Sequence, residues 1–171
     1  MKRILLLSDT HGFLDESVFI HAEPCDEIWH AGDFGTIEIA DRLINFGKEN
    51  NKNIVVRGVY GNIDGYDVRS VYPEKLTWQC EDVKIYMKHI GGYPGKYAPG
   101  VKQEIRDNQA KLFISGHSHI LKVIYDDKID CLHMNPGAAG KQGWHKVRTL
   151  LRFNIDGADI KNCEVIELGA R

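Results

Sequence analysis

Apolar residues along this chain fall into short unbroken runs, each closed by a polar turn that carries glycine. Residues 4–7 run into Asp9-Thr10-His11-Gly12, and residues 27–31 run into Gly32-Asp33. Residues 53–57 precede Gly58 and then Gly61-Asn62, and residues 112–114 run into Ser115-Gly116-His117-Ser118-His119. Runs of this kind predict strands buried on both faces. Between the first three lie two predicted helices, 14–22 and 36–47, the second with Ile37, Ala40, Leu43, Ile44 and Gly47 at helical spacing. This alternation is an α/β signature, which puts ligand-bearing loops at the carboxyl ends of the strands.

The pattern changes after about residue 75. Segments 76–80 and 83–88, joined by Glu81-Asp82, predict a hairpin, and 120–125 with 129–134 predict another. Segments 147–155 and 158–166 are joined by Asp156-Gly157, a strong hairpin turn. The whole reads as one domain over 1–171, two packed sheets with helices outside. The Gly/Pro-rich loop from Gly91 to Gly100 is too short to separate domains.

Composition narrows this picture in three ways. With 171 residues, 43% hydrophobic and 27% charged, the chain suits a single globular domain with a real core. A net charge of −2 argues against gripping nucleic acid or anionic lipid by bulk electrostatics, and no basic stripe supports a nuclease. Cys25, Cys80, Cys131 and Cys163 are far apart without a C-x-x-C pair, which predicts buried free thiols of a reducing compartment. The apolar start meets Ser8-Asp9 too soon for a secretory signal, and no stretch approaches the roughly 18 apolar residues of a membrane span. The expectation is a soluble, cytoplasmic protein.

Five polar clusters each follow a strand-like run: Asp9-x-His11, Gly32-Asp33, Gly61-Asn62-x-Asp64, His89 and Gly116-His117-Ser118-His119. In extended chain, residues i and i+2 share a side, so Asp9 with His11, and His117 with His119, are each expected to converge on one region. Carboxylate, imidazole and amide donors together suit Mn²⁺, Fe, Co²⁺ or Zn²⁺, and the lack of Cys among them argues against a closed structural zinc site. Taken singly, each cluster also reads as a turn, a helix cap or a solvated histidine. Their succession at strand ends is what singles them out.

In these motifs, Ser8-Asp9-Thr10-His11-Gly12, Gly32-Asp33, Gly61-Asn62-Ile63-Asp64 and Gly116-His117-Ser118-His119, the sequence resembles the calcineurin-like metallophosphoesterases over nearly its whole length. Within them it looks most like the small phosphodiesterases of the YfcE type. The resemblance implies a four-layer α/β/β/α sandwich, two mixed sheets flanked by helices. It also implies a binuclear centre of two divalent transition metals, Mn²⁺ first, with Zn²⁺, Co²⁺, Fe or Ni²⁺ as alternatives. One ion would be held by Asp9, His11 and His119, the other by Asn62, His89 and His117, with Asp33 bridging. Asn135-Pro136-Gly137 matches a further family turn, read as a backbone former rather than a ligand.

Two divalent cations bring about +4 against −2 from Asp9 and Asp33, giving an electropositive site inside a slightly acidic chain. The implied function is phosphodiester or phosphomonoester hydrolysis through a metal-activated water, on a small or nucleotide-like phosphate ester, with no nucleophilic side chain. Asp33, Asn62 and Asp64 are the residues expected to take part in the reaction. Many relatives place a proton-donating His where this chain has Ile63, so Asp64 is either an acid or a loop-stabilising carboxylate. Lys96, Tyr93 and Tyr97 in the Gly/Pro loop suggest a lid or a surface turn, and His145 and Arg148 a second wall of the cleft. His21, His30 and His133 have no cluster partners, and His30 reads as a packed strand histidine. The alternative function is a catalytically weak protein-interaction scaffold of the same fold, like a retromer subunit. A homo-oligomer is compatible with either reading.

Overall fold

The structure, a computed structural model, describes residues 1–49 and 53–171. In chain order it runs β1 (Lys2–Leu7), α1 (Ser17–Ala22), β2 (Glu27–His30), α2 (Ile37–Glu49), β3 (Val55–Gly58), α3 (Tyr66–Val71), β4 (Lys75–Cys80), β5 (Val83–Lys88), β6 (Gly92–Tyr93), β7 (Lys96–Tyr97), α4 (Val101–Asp107), β8 (Leu112–Ile114), β9 (Lys122–Asp126), β10 (Cys131–Asn135), β11 (Val147–Asp156) and β12 (Asp159–Ala170). One five-stranded sheet has the order β12-β11-β1-β2-β3 and the other β4-β5-β8-β10-β9, with β6-β7 as a small separate hairpin. Both are mixed. The β1-β2-β3 and β5-β8-β10 pairings are parallel, and the three predicted hairpins form antiparallel pairs β4-β5, β9-β10 and β11-β12.

Alternation along β1 shows how the layers stack. Leu5 and Leu7 pack with Val18 of α1, Leu43 of α2 and Val68 of α3. Ile4 and Leu6 face the other way, onto Ile85, Met87, Leu112 and Met134 of the second sheet. The outer face of that sheet packs Tyr86 and Phe113 against Val101 and Ile105 of α4. The result is the expected four-layer sandwich, with, among the described residues, three helices on one side and one short helix on the other. β1, β2 and β8 are buried on both faces, as their apolar runs predict, because each has strands on either side and a packed layer above and below.

Three expectations are corrected. Val55 of β3 is 41% exposed because β3 is the sheet edge. The first helix begins at Ser17 rather than 14, since Asp15 accepts both the backbone N–H and the hydroxyl of Ser17 and fixes the chain in a turn there. Cys163 is exposed on β12, whereas Cys25, Cys80 and Cys131 are buried free thiols. No helix among the described residues is long and apolar enough to cross a membrane.

Candidate metal centre

The carboxyl ends of β1, β2, β5 and β8 open toward one place, and the polar clusters gather there. Two groups form: Asp9, His11 and His119, and Asp33, His89 and His117. Asp9 Oδ1 lies 3.1 Å from His119 Nε2, 3.7 Å from His11 Nε2 and 3.8 Å from His89 Nε2. Asp33 Oδ2 lies 3.1 Å from His89 Nε2 and 3.6 Å from His11 Nε2, so it stands between the groups. Asp9 and Asp33 are buried, whereas His117 is exposed.

The backbone that presents these side chains is not extended. Asp9, His11, Asp33, His117 and His119 all have φ between 47° and 67°, the left-handed region that non-glycine residues avoid. Such conformations persist only where surrounding structure holds them, and they gather at functional sites. Here the hold is a set of backbone bonds between loops: Asp9 N–H to Gly32 O at 2.9 Å, His11 N–H to Asp33 O at 3.0 Å and Gly140 N–H to Asp9 O at 3.0 Å. His117 and His119 both reach this one region, as expected, but not through the extended chain assumed for them. His117 and His119 point into different groups, because two left-handed residues turn the chain where an extended one would keep both on one side.

Whether these residues fit a cation is decided by the tautomer of His89. Its Nδ1–H donates to Ala31 O at 2.7 Å, so in the neutral ring it is Nε2 that holds the lone pair, facing Asp33. Nε2 of His89 and Oδ1 of Asp9 are both buried and form no aligned hydrogen bond. Lone pairs and carboxylate oxygens facing one another at 3.1–3.8 Å repel unless a proton or cation lies between them. Without a cation the cluster takes up protons. Burial alone would push the Asp9 carboxyl up, but the neighbouring His11 and His119 rings and the charge of His89 hold it well below the carboxylate range. Burial opposes charge on His89 as well, yet Asp33 and Asp9 raise it. The Asp9 carboxylate beside it raises His11. The donor set, carboxylate oxygen and imidazole nitrogen with the second nitrogen of His89 anchored to a carbonyl, fits divalent transition metals.

Around the donors lies a supporting layer. Ser8 Oγ donates to Asp9 Oδ2 at 2.6 Å, and His117 N–H reaches the same oxygen at 3.1 Å. Asn135 Nδ2 donates to Gly116 O and Ser118 Oγ while its Oδ1 accepts from Gly137 N–H, so this turn holds the Gly-His-Ser-His loop. Asp64 is buried, and its two oxygens accept from Gly35 N–H and Gly61 N–H at 2.8 Å each. Arg69 donates to the carbonyls of Asp64, Gly61 and Asn62 and lies 4.5 Å above the Tyr60 ring. Asn62 is exposed on this loop and, with His89, Arg69, Lys88, Tyr60 and Ile90, lines a cleft of about 230 Å³.

His30, a buried strand histidine as expected, has a specific task. Gly32 N–H donates to its Nδ1, so Nε2 carries the proton and donates to Thr10 Oγ1, which passes its own to Phe34 O. Sequence spacing gave no sign of this relay or of Arg69. The lid residues separate: Tyr97 donates to Asp126, Lys96 is exposed, and Tyr93 lies under Lys122. Arg148 is engaged by Asp15 and two backbone carbonyls, while the His145 ring stands 5.2 Å from that of His119.

A two-sheet sandwich with carboxylate and imidazole donors converging at its strand ends defines the metallophosphoesterase class. Residues 1–158 match the calcineurin-like phosphoesterase superfamily domain, and the chain belongs to that superfamily. Among solved structures it is similar to the zinc complex of Vps29 from Entamoeba histolytica (17% identity, TM-score 0.68, 96% of this chain and 98% of that one). It is also similar to an archaeal phosphodiesterase (20%, 0.70, 97% and 99%) and to a predicted phosphoesterase from Streptococcus pneumoniae (19%, 0.64, 97% and 97%). These likenesses carry the fold. No curated protein matches the chain at significant similarity.

Proposed function

We propose that this protein is a two-metal phosphodiesterase acting on a small or nucleotide-like phosphate ester. The observation that carries the reading is His89, anchored through Nδ1 to Ala31 O with its buried Nε2 facing Asp33, inside a complete set of carboxylate and imidazole donors. In this reading Asp9, His11 and His119 hold one ion and Asn62, His89 and His117 the other, with Asp33 shared. Mn²⁺ is the first choice, and the zinc complex of the amoebal Vps29 supports Zn²⁺ as an alternative on this fold. When bound, the pair of ions supplies Lewis-acid charge to the phosphoryl oxygens and acidity to the attacking water.

The chain's own residues do the rest. Asp9 and Asp33 balance charge, and the Ala31 carbonyl keeps the His89 proton on Nδ1. The cleft between Tyr60, Arg69, Glu74, Lys88 and Ile90 receives the organic part of the ester, offering two cations, one carboxylate and two apolar walls. Asp64 has both oxygens committed to backbone N–H donors, so it acts by positioning Asn62 rather than by proton transfer. Ile63 carries no transferable proton.

The test is metal-reconstituted hydrolysis of mono-, di- and cyclic phosphate esters, comparing Mn²⁺ with Zn²⁺, Co²⁺ and Mg²⁺. The chain should bind about two ions, and Asp33→Asn should lower turnover of bis(4-nitrophenyl) phosphate by at least about 10²–10³-fold. Full activity of that variant would falsify the bridging role. Ile63 and Ile90, 46% and 42% exposed at the rim, favour a second reading as a protein-docking scaffold. Metal uptake without turnover on the whole panel, together with a stable partner in pull-downs, would promote it.

A further inference from the structure

A smaller cavity, about 80 Å³, lies under the β6–β7 hairpin and borders the candidate centre at His117. His133 of β10 forms part of its wall. That side chain is 1% exposed, and neither ring nitrogen has an aligned hydrogen-bond partner, its one polar contact being a misaligned one with the Phe113 backbone. Burial pushes its pKa down to about 4, so the ring is neutral and offers one N–H and one lone pair. A buried polar group left without a partner is costly, which makes the empty space beside it informative.

Other groups lining the cavity are also short of acceptors. Ser118 Oγ already accepts from Ile120 N–H and Asn135 Nδ2, so its hydroxyl proton is free to be given. The Lys122 ammonium lies 4.4 Å from the Tyr93 ring centre and pairs with no carboxylate among the described residues. Its charge is felt at His133, whose pKa it helps to lower. Among the described residues, no Asp or Glu lines the space. A hydroxyl and an ammonium without acceptors, beside a ring N–H with only a misaligned one, call for an acceptor, and the ammonium favours an anionic one. The volume corresponds to about two or three waters, or to one carboxylate or phosphate group.

We propose that this cavity is an oxyanion subsite, taking a phosphate or carboxylate group that the substrate carries beyond its scissile phosphate. The proposal rests on the function above for the scissile group, and it narrows the substrate class to phosphate esters with a second anionic group. His117 is the wall shared with the candidate metal centre, so the two anions sit on either side of one imidazole. Lys122 supplies the charge, and His133 and Ser118 the directed hydrogen bonds.

Two measurements test it. In the metal-free chain, inorganic phosphate is titrated while the ring nitrogens of His133 are followed by long-range ¹H–¹⁵N NMR. Those signals are identified by loss in His133→Phe, or in His133→Gln should the first fail to fold. A saturable shift is expected with phosphate and not with acetamide. Lys122→Ala should weaken it by about ten-fold, the loss of one charge-assisted hydrogen bond, while Lys96→Ala, exposed on the same hairpin, leaves it unchanged. Absence of a saturable shift, or an equal one in Lys122→Ala, overturns the subsite and leaves the cavity to water.

The second measurement compares, in Mn²⁺-loaded protein, bis(4-nitrophenyl) phosphate with a diester bearing an added carboxylate or phosphate. The anionic ester should be preferred by about ten-fold in kcat/KM, with Lys122→Ala removing the preference through KM. Hydrolysis of both esters without preference overturns the substrate assignment and leaves the phosphodiesterase reading intact. Phosphate binding in that case marks free phosphate as the occupant. Hydrolysis of neither ester counts against the phosphodiesterase reading and with it the substrate assignment.

Discussion

The two halves of the candidate centre are held in different ways. Asp9 and His11 sit at the end of β1, tied to the neighbouring loops by backbone hydrogen bonds and to Ser8 by a side-chain bond. Asp33 and Asn62 depend on a loop whose shape comes from side chains: Asp33 Oδ1 accepts from Ile63 N–H at 3.0 Å, and Asp64 and Arg69 fasten the same turn. The first half is therefore built into the sheet. The second is assembled by charged residues acting on backbone, which makes its metal affinity tunable by changes outside the donor set.

The strongest way to break this contrast is through glycine contacts. A Cβ on Gly61 would lie 2.0 Å from Asp33 Oδ1 and 2.4 Å from Asp33 N, and one on Gly140 would lie 2.2 Å from Thr10 O. Gly65, in the same loop as Gly61, has nothing within 4 Å. Gly61→Ala should abolish uptake of the second ion and weaken the first only through the shared Asp33, and both Gly61→Ala and Gly140→Ala should lose about 3 kcal/mol or more of unfolding free energy, since each clashes with backbone. Gly65→Ala should do neither. Calorimetric metal titration and urea unfolding of the three variants decide this.

A gentler change sharpens it. Asp64→Asn keeps the shape but presents an amide where two N–H groups need acceptors. One metal-binding step should weaken by about 10–100-fold and the other should stay within error. Equal weakening of both would mean that the loop supports the whole centre.

How far the sequence reveals this site follows from the same contrast. Asp9, Asp33, His89 and the Gly-His-Ser-His motif are legible because each ends a buried apolar run, and the hairpins are legible because alternation and turn residues agree. The split of His117 and His119 between the two groups follows from the family resemblance and not from local spacing, since it comes from left-handed backbone that only the packed loops impose. Helices α3 and α4 escape notice because they are short and bury one residue, Val68, and two, Val101 and Ile105. Long-range partners such as Arg69 and His30 leave no local pattern at all.

His30 joins the halves, bonding Gly32 on one loop and Thr10 on the other, and this gives a pH signature. Burial pushes its pKa down from 6.5 to about 3, so the folded chain keeps it neutral while the unfolded chain protonates it below 6.5. Its contribution is present above pH 6.5, declines as pH falls, and levels off near 3. At pH 5 the loss is roughly 2 kcal/mol. In metal-free protein the raised His11 and His89 act in the opposite sense, gaining stability as they take up protons. The difference between wild type and His30→Asn isolates the His30 part: between pH 7 and 5, wild type should lose about 2 kcal/mol more. Equal losses in urea unfolding would show that His30 does not stay neutral.

The smallest effect is expected at Ser8. Its hydroxyl gives its proton to Asp9 Oδ2 at 2.6 Å, and that oxygen has a second donor in His117 N–H. Ser8→Ala therefore leaves Asp9 partly satisfied, and the cost should be about 1 kcal/mol, the net value of one hydrogen bond. Metal affinity at the Asp9 half should fall by about ten-fold or less, and turnover should follow it, recovering at saturating metal. A serine acting as the nucleophile would behave otherwise, because no metal concentration restores a missing attacking oxygen. Turnover that stays lost at saturating Mn²⁺ would replace a water-based reaction with a covalent one, and the better-anchored half of the centre would then hold the reacting atom.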